Sequence, residues 1–502
     1  MGIGVGRGSA RGTPRIAGLV TAGALLATAC GGTYHPEAPD AASYIEVSSG
    51  AAAADPTAAA ATAGASQDSG STTGSTTTAG SGTVDATGTT PSAGTTTGSA
   101  GTTGSTTTSP ETGSGTSPTA PTTDAAGFPV ADIGADRPAN ASGSILLGIV
   151  GPHTGPIALQ GLASLRGVQA TIADYNARGG IDGVPIELLV EDDQFDPAQG
   201  RRYVQRMINE DQVFALMGLL TPATFAQSLP DLEASGTLQM IGDGAASTGG
   251  SRLVFPSYQK CPTAMGATTE YAIRDLGLTK LAILQIDIEI SRVCADAIQT
   301  TADAMGAQVV YRTGVTPGGF GCASQAQGAV DAGAQTVLIQ AETLTMIRCI
   351  QALQQQGFGG PIGLSANAID DDALVDALKQ DAEAIYSAAG FKPKTHPATR
   401  AQCTDIIDRY YPDSGATQYL GYASCIATRV LLDALLVLGP DATAQQIIGY
   451  LERGEPYDSQ GMAPPMSWTP DDHEPYRQMF AVQIENGVWV VKTDPFEPIF
   501  GR

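Results

Sequence analysis

From residue 144 onward, short continuous apolar runs alternate with longer stretches in which large apolar side chains return every third or fourth position. The run SILLGIV at 144–150 reads as a buried strand ending at Gly151 and Pro152. Leu162, Leu165, Val168, Ile172 and Tyr175 then keep helical spacing, and Gly179, Gly180 and Gly183 break the chain before the strand IELLVED at 186–192. The alternation continues with a helix over 198–210, a strand over 213–220, a helix over 222–233 and a strand over 238–242. A second series follows Pro262: a helix to Leu276, strand 281–287, helix 292–305, strand 307–315, helix 322–332, strand 336–341 and a helix to Gln356. Such alternation predicts parallel sheets with helices on both faces. Residues 396–452 are mainly helical, and QMFAVQIENGVWVV at 478–491 predicts a strand pair turning at Asn486 and Gly487.

Residues from about 144 to the C-terminus number roughly 360, more than one hydrophobic core normally serves, so two lobes are expected. The predicted class is α/β, with two doubly wound parallel-sheet lobes joined by several chain crossings that form a hinge. Lobe 1 is expected over about 144–261 and 392–456, and lobe 2 over about 262–391 and 475–495, within a domain of 144–495.

The first 143 residues follow different patterns. Arg7, Arg11 and Arg15 precede an apolar run at 16–29 that ends at Cys30. This is the layout of a secretory signal, and the run is too short to span a bilayer, which needs roughly 20 residues. The tail LLATAC resembles the lipobox of bacterial lipoproteins, with Ala27 where that motif favours Leu. The resemblance implies cleavage before Cys30, a lipid on its thiol and an extracytoplasmic, membrane-anchored protein; an ordinary signal peptide with an incidental cysteine stays open. Residues 30–143 are rich in Ser, Thr, Gly and Ala, with no Lys and a single Arg at Arg137 beyond Cys30. That composition predicts a disordered tether, reaching roughly 55–65 Å root-mean-square as a random coil.

A formal charge of −24 without a basic stripe argues against nucleic acid as a partner. The six remaining cysteines, Cys261, Cys294, Cys322, Cys349, Cys403 and Cys425, are an even set in an exported chain and predict three disulfides. Among fifteen connectivities, pairing of sequence neighbours is expected. No CxxC or HxxxH spacing occurs and the four histidines are scattered, so no metal and no cofactor are expected.

The segments GPHTGPIALQG at 151–161 and YNARGGIDGVPIELLVEDDQFDP at 175–197 resemble the branched-chain amino acid family of type I periplasmic binding proteins, the solute receptors of ABC importers. The order of elements over about 144–491 follows that family. The resemblance implies a receptor that binds a small polar solute between two lobes and presents it to membrane permease subunits, without catalysis. Asp192, Asp193, Asp196 and Pro197 are read as architectural. Strand-end loops in the first lobe imply ligand contacts at Thr221, Ala245 and Ser247, with Thr221 also fit to be a plain helix cap. His153, Thr154 and Gln160 are further candidates from the 151–161 loop. In the second lobe Glu342 stands where the family often has an aromatic residue, and Asn367 lies where an acidic residue commonly meets the ligand ammonium. Glu342 is the candidate cation partner, and an amino acid, an amide or a urea-like solute all remain open. Two other classes compete: a tethered sensor with the same binding chemistry, and an α/β hydrolase, for which no GxSxG or Walker-type loop is present.

Lipid anchoring is directly testable. Cys30→Ser should move the protein from the membrane fraction to the soluble one; unchanged membrane retention would contradict anchoring.

Overall fold

The computed structural model describes residues 122–155, 157–218, 221–240, 250–316, 321–412 and 419–500. Cys30 and the 1–29 signal lie outside them, as do Ala245 and Ser247. Strands β1 (Ile145–Gly151), β2 (Ile186–Asp192), β3 (Ala215–Met217), β4 (Leu238–Met240) and β5 (Val254–Phe255) form one all-parallel sheet in the order β2-β1-β3-β4-β5. Helices α1 (Ala158–Ala177), α2 (Pro197–Asn209) and α3 (Pro222–Ser235) alternate with them. After α4 (Cys261–Arg274), strands β6 (Lys280–Ile286), β7 (Gln308–Val315), β8 (Thr336–Gln340), β9 (Ile362–Leu364) and β10 (Ile385–Ala389) repeat the same parallel order. They alternate with α5 (Glu289–Ala304), α6 (Cys322–Asp331), α7 (Thr343–Gln355) and α8 (Asp372–Leu378). The chain then runs through α9 (Pro397–Thr399), α10 (Asp405–Tyr410), α11 (Tyr419–Leu438) and α12 (Ala444–Leu451). Strands β11 (Phe480–Glu485) and β12 (Val488–Val491) close antiparallel onto β10.

The central strands β1, β6 and β8 are buried on both faces, which is why their sequences are continuous apolar runs rather than alternating ones. The expected strand over 213–220 is shorter, spanning Ala215–Met217. Gly180 turns α1 back toward β2 at φ +70°, with the Val184 carbonyl oxygen only 2.1 Å from where a Cβ would sit, so a side chain there would clash. All three disulfides join sequence neighbours: Cys261–Cys294 links α4 to α5, Cys322–Cys349 links α6 to α7, and Cys403–Cys425 ties the segment before α10 to α11. Their Cα separations of 5.6, 5.1 and 5.9 Å lie within the range usual for disulfides.

The tether expectation for 30–143 needs correction at its C-terminal end. Residues 122–143 lie against α12 and the end of α3 as a strap. Ala131 N–H donates to the Gln445 carbonyl at 3.0 Å, Ala135 N–H to Gly236 at 2.9 Å and Ala139 N–H to Ala442 at 2.9 Å. Phe128 packs edge-on to Tyr450, and Asp132 pairs with Arg252, which also holds the buried Glu452. The strap comes so close that a Cβ on Gly449 would meet the Pro129 carbonyl oxygen at 2.0 Å. Composition hid this because the strap's partners lie some 75 to 320 positions later in the chain.

Three segments cross between the sheets: β5 to α4, β10 to α9, and α12 to β11. They meet at the N-terminal end of α11. Gln259 Oε1, on the first crossing, accepts from the Tyr419 hydroxyl at 2.6 Å and from the Gly390 N–H, on the second, at 3.4 Å. Tyr476, on the third, donates to the Ser257 carbonyl at 2.9 Å. Phe391 sits among Tyr419, Tyr422 and Tyr476, with ring centroids 5.3 to 6.0 Å apart. Tyr422 donates its hydroxyl to Asp370 at 2.7 Å, and the Lys394 N–H donates to the same carboxyl oxygen at 2.6 Å.

Burial pushes the Asp370 carboxyl up to about 6, against the pull of Tyr422 and Lys394, from a usual value of 3.8. The folded state therefore holds this proton more tightly than the unfolded chain does. Its stabilising contribution is full below pH ~4 and is lost as pH rises through about 6, an effect of at most about 3 kcal/mol. Asp370→Asn keeps an acceptor for both donors and should flatten this fall in denaturation profiles between pH 4 and 7; an unaltered profile would show that Asp370 does not titrate there. The strap generates a second expectation. A chain starting at residue 144 should unfold more easily than one starting at 122 by on the order of 2–4 kcal/mol, the scale of several lost hydrogen bonds and half-buried apolar contacts. Equal denaturant midpoints would mean the strap adds nothing.

Candidate functional site

In an open α/β sheet the carboxyl ends of the strands on either side of the reversal in strand order leave a crevice. In the second sheet that reversal lies at β6, between β7 and β8. A cleft of about 240 Å³ opens there. Its walls include Ile286 at the end of β6 and Ile288 beyond it, Gln340 at the end of β8 and Glu342 beyond it, and Ser365 and Asn367 after β9. Tyr258, Gln259 and Cys261 from the first crossing and Ile290 and Ser291 of α5 complete that side. The lining reaches the first sheet's side at Pro222, the first residue of α3. The volume lies below the roughly 300–1,000 Å³ of pockets for drug-sized ligands, and suits a solute of amino-acid size.

Two of the candidate contacts named from sequence are in this wall. Glu342 is the N-cap residue of α7; the Thr345 hydroxyl donates to its Oε1, and it is the one charged group in the described lining. Asn367 is held in place, accepting from the Ser365 hydroxyl at 2.6 Å and donating to the Ala341 carbonyl at 3.2 Å. Gln340 ends β8 and Glu342 caps α7 two positions later, and both line the cleft.

The other candidates are placed differently. Thr221 sits next to the cleft, 2 % exposed, with its hydroxyl engaged as the cap of α3: it donates to Thr224 Oγ1 at 2.9 Å and accepts from the Thr224 N–H at 3.4 Å. Thr224 in turn donates to the buried Asp193 at 3.1 Å. His153 and Thr154 belong to a loop tied down by Asp192, which accepts from both backbone N–H groups and from the Thr154 hydroxyl. Burial lowers His153 to about 4, opposed by Asp192 and reinforced by Arg166, so the ring is neutral at pH 7. Gln160 is half-buried on α1. None of these three is in the described cleft lining. The architectural reading of the acidic motif fits the contacts: Asp196 caps α2 ahead of Pro197, and Asp192 and Asp193 brace the neighbouring loops.

Sequence reasoning passed over Gln259 and Gln340. The strand-end rule that picked Glu342 points equally at Gln340, the last residue of β8. Gln259 lies on a crossing with no periodic signal.

A family model described as periplasmic binding protein matches residues 144–488. The chain is 23% identical over 295 residues to an amino acid binding protein of Pseudomonas aeruginosa, covering 57% of this chain and 77% of that protein. It spans about half the length of the Leu/Ile/Val-binding proteins it matches. A branched-chain amino acid ABC transporter structure from Thermus thermophilus with bound valine superposes with a TM-score of 0.64 at 17% identity, covering 70% of this chain and 96% of that one. A solute-binding protein from R. palustris in complex with 4-hydroxybenzoate does so with a TM-score of 0.62 at 18% identity, covering 71% and 97%. At such identities the structures speak for the fold, two α/β lobes, while the matched 144–488 span shows that this chain belongs to the periplasmic binding protein family.

Proposed function

We propose that the protein is the extracytoplasmic solute receptor of an ABC importer, and that its lobes close about the hinge on one small polar solute, an amino acid or an amide. The observation that carries this reading is the cleft at the strand ends of the second sheet, facing the N-terminus of α3, with Glu342 its one charged group among the described residues. A carboxylate there supplies an acceptor for a cationic or N–H-rich ligand end. With no Lys, Arg or His in the described lining, a ligand carboxylate would fall to backbone N–H groups at helix N-termini such as that of α3. Thr221, Ala245 and Ser247 are the proposed contacts on that side, with His153, Thr154 and Gln160 entering only as the lobes close.

Relatives support a receptor and differ in ligand, valine in one and 4-hydroxybenzoate in another. Permease subunits are the proposed partners, and Cys30 with its following tether the proposed anchor. A membrane-tethered sensor would use the same cleft; uptake of the identified solute in cells lacking the protein separates the two, being lost only for an importer.

A thermal-shift screen of the purified protein against amino acids, amides, urea and small aromatic and aliphatic acids tests the reading. A true ligand at 100 times its dissociation constant stabilises by about 2.7 kcal/mol. Glu342→Gln should weaken an ammonium-bearing ligand by roughly 10-fold or more while sparing a neutral one, since it removes charge and keeps an acceptor. Absence of any shift, or chemical turnover of the solute, would overturn the receptor reading.

A further inference from the structure

Two amide side chains in the cleft each present one buried atom with no hydrogen-bond partner among the described residues. Gln259 has no exposed surface. Its Oε1 serves Tyr419 and Gly390, and the Tyr419 hydroxyl itself accepts from the Gly390 N–H at 3.1 Å. That arrangement fixes the amide: turned over, its NH2 group would face the Gly390 N–H and the hydroxyl proton of Tyr419. Gln259 Nε2 is thus a buried donor with nothing to donate to, on a residue that lines the cleft. Gln340, at the end of β8, lines the same cleft, and its buried Oε1 is an acceptor without a donor. Native structures rarely leave such groups unpaired, and complementary ones on two residues lining one cleft point to what fills it.

Resting on the receptor reading, we propose that the solute carries a carboxamide or ureido group held between these two glutamines. Its carbonyl oxygen accepts from Gln259 Nε2, and its N–H donates to Gln340 Oε1. Glu342, two positions beyond Gln340 in the same cleft lining, adds an acceptor for a further N–H or an ammonium. A carboxylate in this position would set its oxygens against Gln340 Oε1 and the Glu342 charge. An alkyl side chain would satisfy neither glutamine, and sites built to hydrogen-bond a polar group reject analogues lacking it. Gln259, locked by the hinge, is the rigid half of the pair, so lobe closure and amide recognition meet at one residue.

The test is titration calorimetry on the full chain with L-glutamine, butyramide and urea, each compared with a partner of like shape: L-glutamate, butyrate and acetone, with L-valine and 4-hydroxybenzoate as further probes. At least one amide should bind, and its partner should be weaker by roughly 100-fold. Gln340→Met keeps side-chain volume and removes the acceptor; it should weaken the amide about 10-fold and leave the melting temperature of the unliganded protein unchanged. Gln259→Glu keeps the acceptor for Tyr419 and Gly390, removes the donor, and should weaken the same probe. Equal binding of an amide and its partner, full amide affinity in Gln340→Met, or binding of valine or 4-hydroxybenzoate with no amide bound would each overturn the inference and leave the receptor reading standing. If no probe binds, both fall.

Discussion

The hydrogen bond between the Tyr419 hydroxyl and Gln259 is the contact on which the arrangement of this protein turns. It joins the start of α11, which packs on α1, to the first crossing between the sheets, and Gly390 of the second crossing shares the same two atoms. The third crossing arrives through Tyr476, stacked edge-on against Phe391 and bonded to Ser257. Three chain segments that must pass between two independently wound sheets are gathered into one buried node. The shared hydrogen bonds tie the crossings to one another and to α11, while Gln259 Nε2 stays without a partner among the described residues.

The cleft inherits its character from that node and from the second sheet. Its described walls carry amides, hydroxyls, aliphatic side chains and one carboxylate, so the electrostatic field they present is negative and donor-seeking. The helices behind those walls are braced by the Cys261–Cys294 and Cys322–Cys349 bridges, and α11 by Cys403–Cys425. Each closes a loop of 22 to 33 positions, on the order of 3 kcal/mol apiece in chain-entropy terms. The strap over α12 adds a further constraint on the other side of the molecule. It gives the long N-terminal segment a firm seat, with the buried Glu452 held by Arg252 and by His473.

Much of the fold is legible in the sequence because burial on both faces writes itself as uninterrupted apolar runs, as in β1, β6 and β8. The Asn486–Gly487 turn, at φ of +53° and +76°, was readable from residue chemistry alone. Nearest-neighbour disulfides followed because the paired cysteines lie on consecutive helices or their flanks. Short elements left no such trace: β9 has three residues, β5 two, and β10 reads IYSAA with small side chains. The strap resembles the low-complexity segment before it, and what holds it is hydrogen bonds and contacts to distant residues, with Gly449 leaving room for its close approach. At the site, Glu342 stood out as a charge at a strand end, whereas Gln259 and Gln340 are unremarkable as letters. Their meaning comes from which of their atoms are already used, and only the assembled structure supplies that.

The central claim is that two lobes close on a solute about this node. Spin labels introduced as unnatural amino acids at the exposed Leu159, on the first lobe's rim, and Leu344, on the second's, leave the three disulfides intact. Double electron–electron resonance should then show a shorter inter-label distance when the solute found by thermal shift is added, and return to the longer distance on its removal. A distribution that does not change on saturation with that solute would contradict hinged closure.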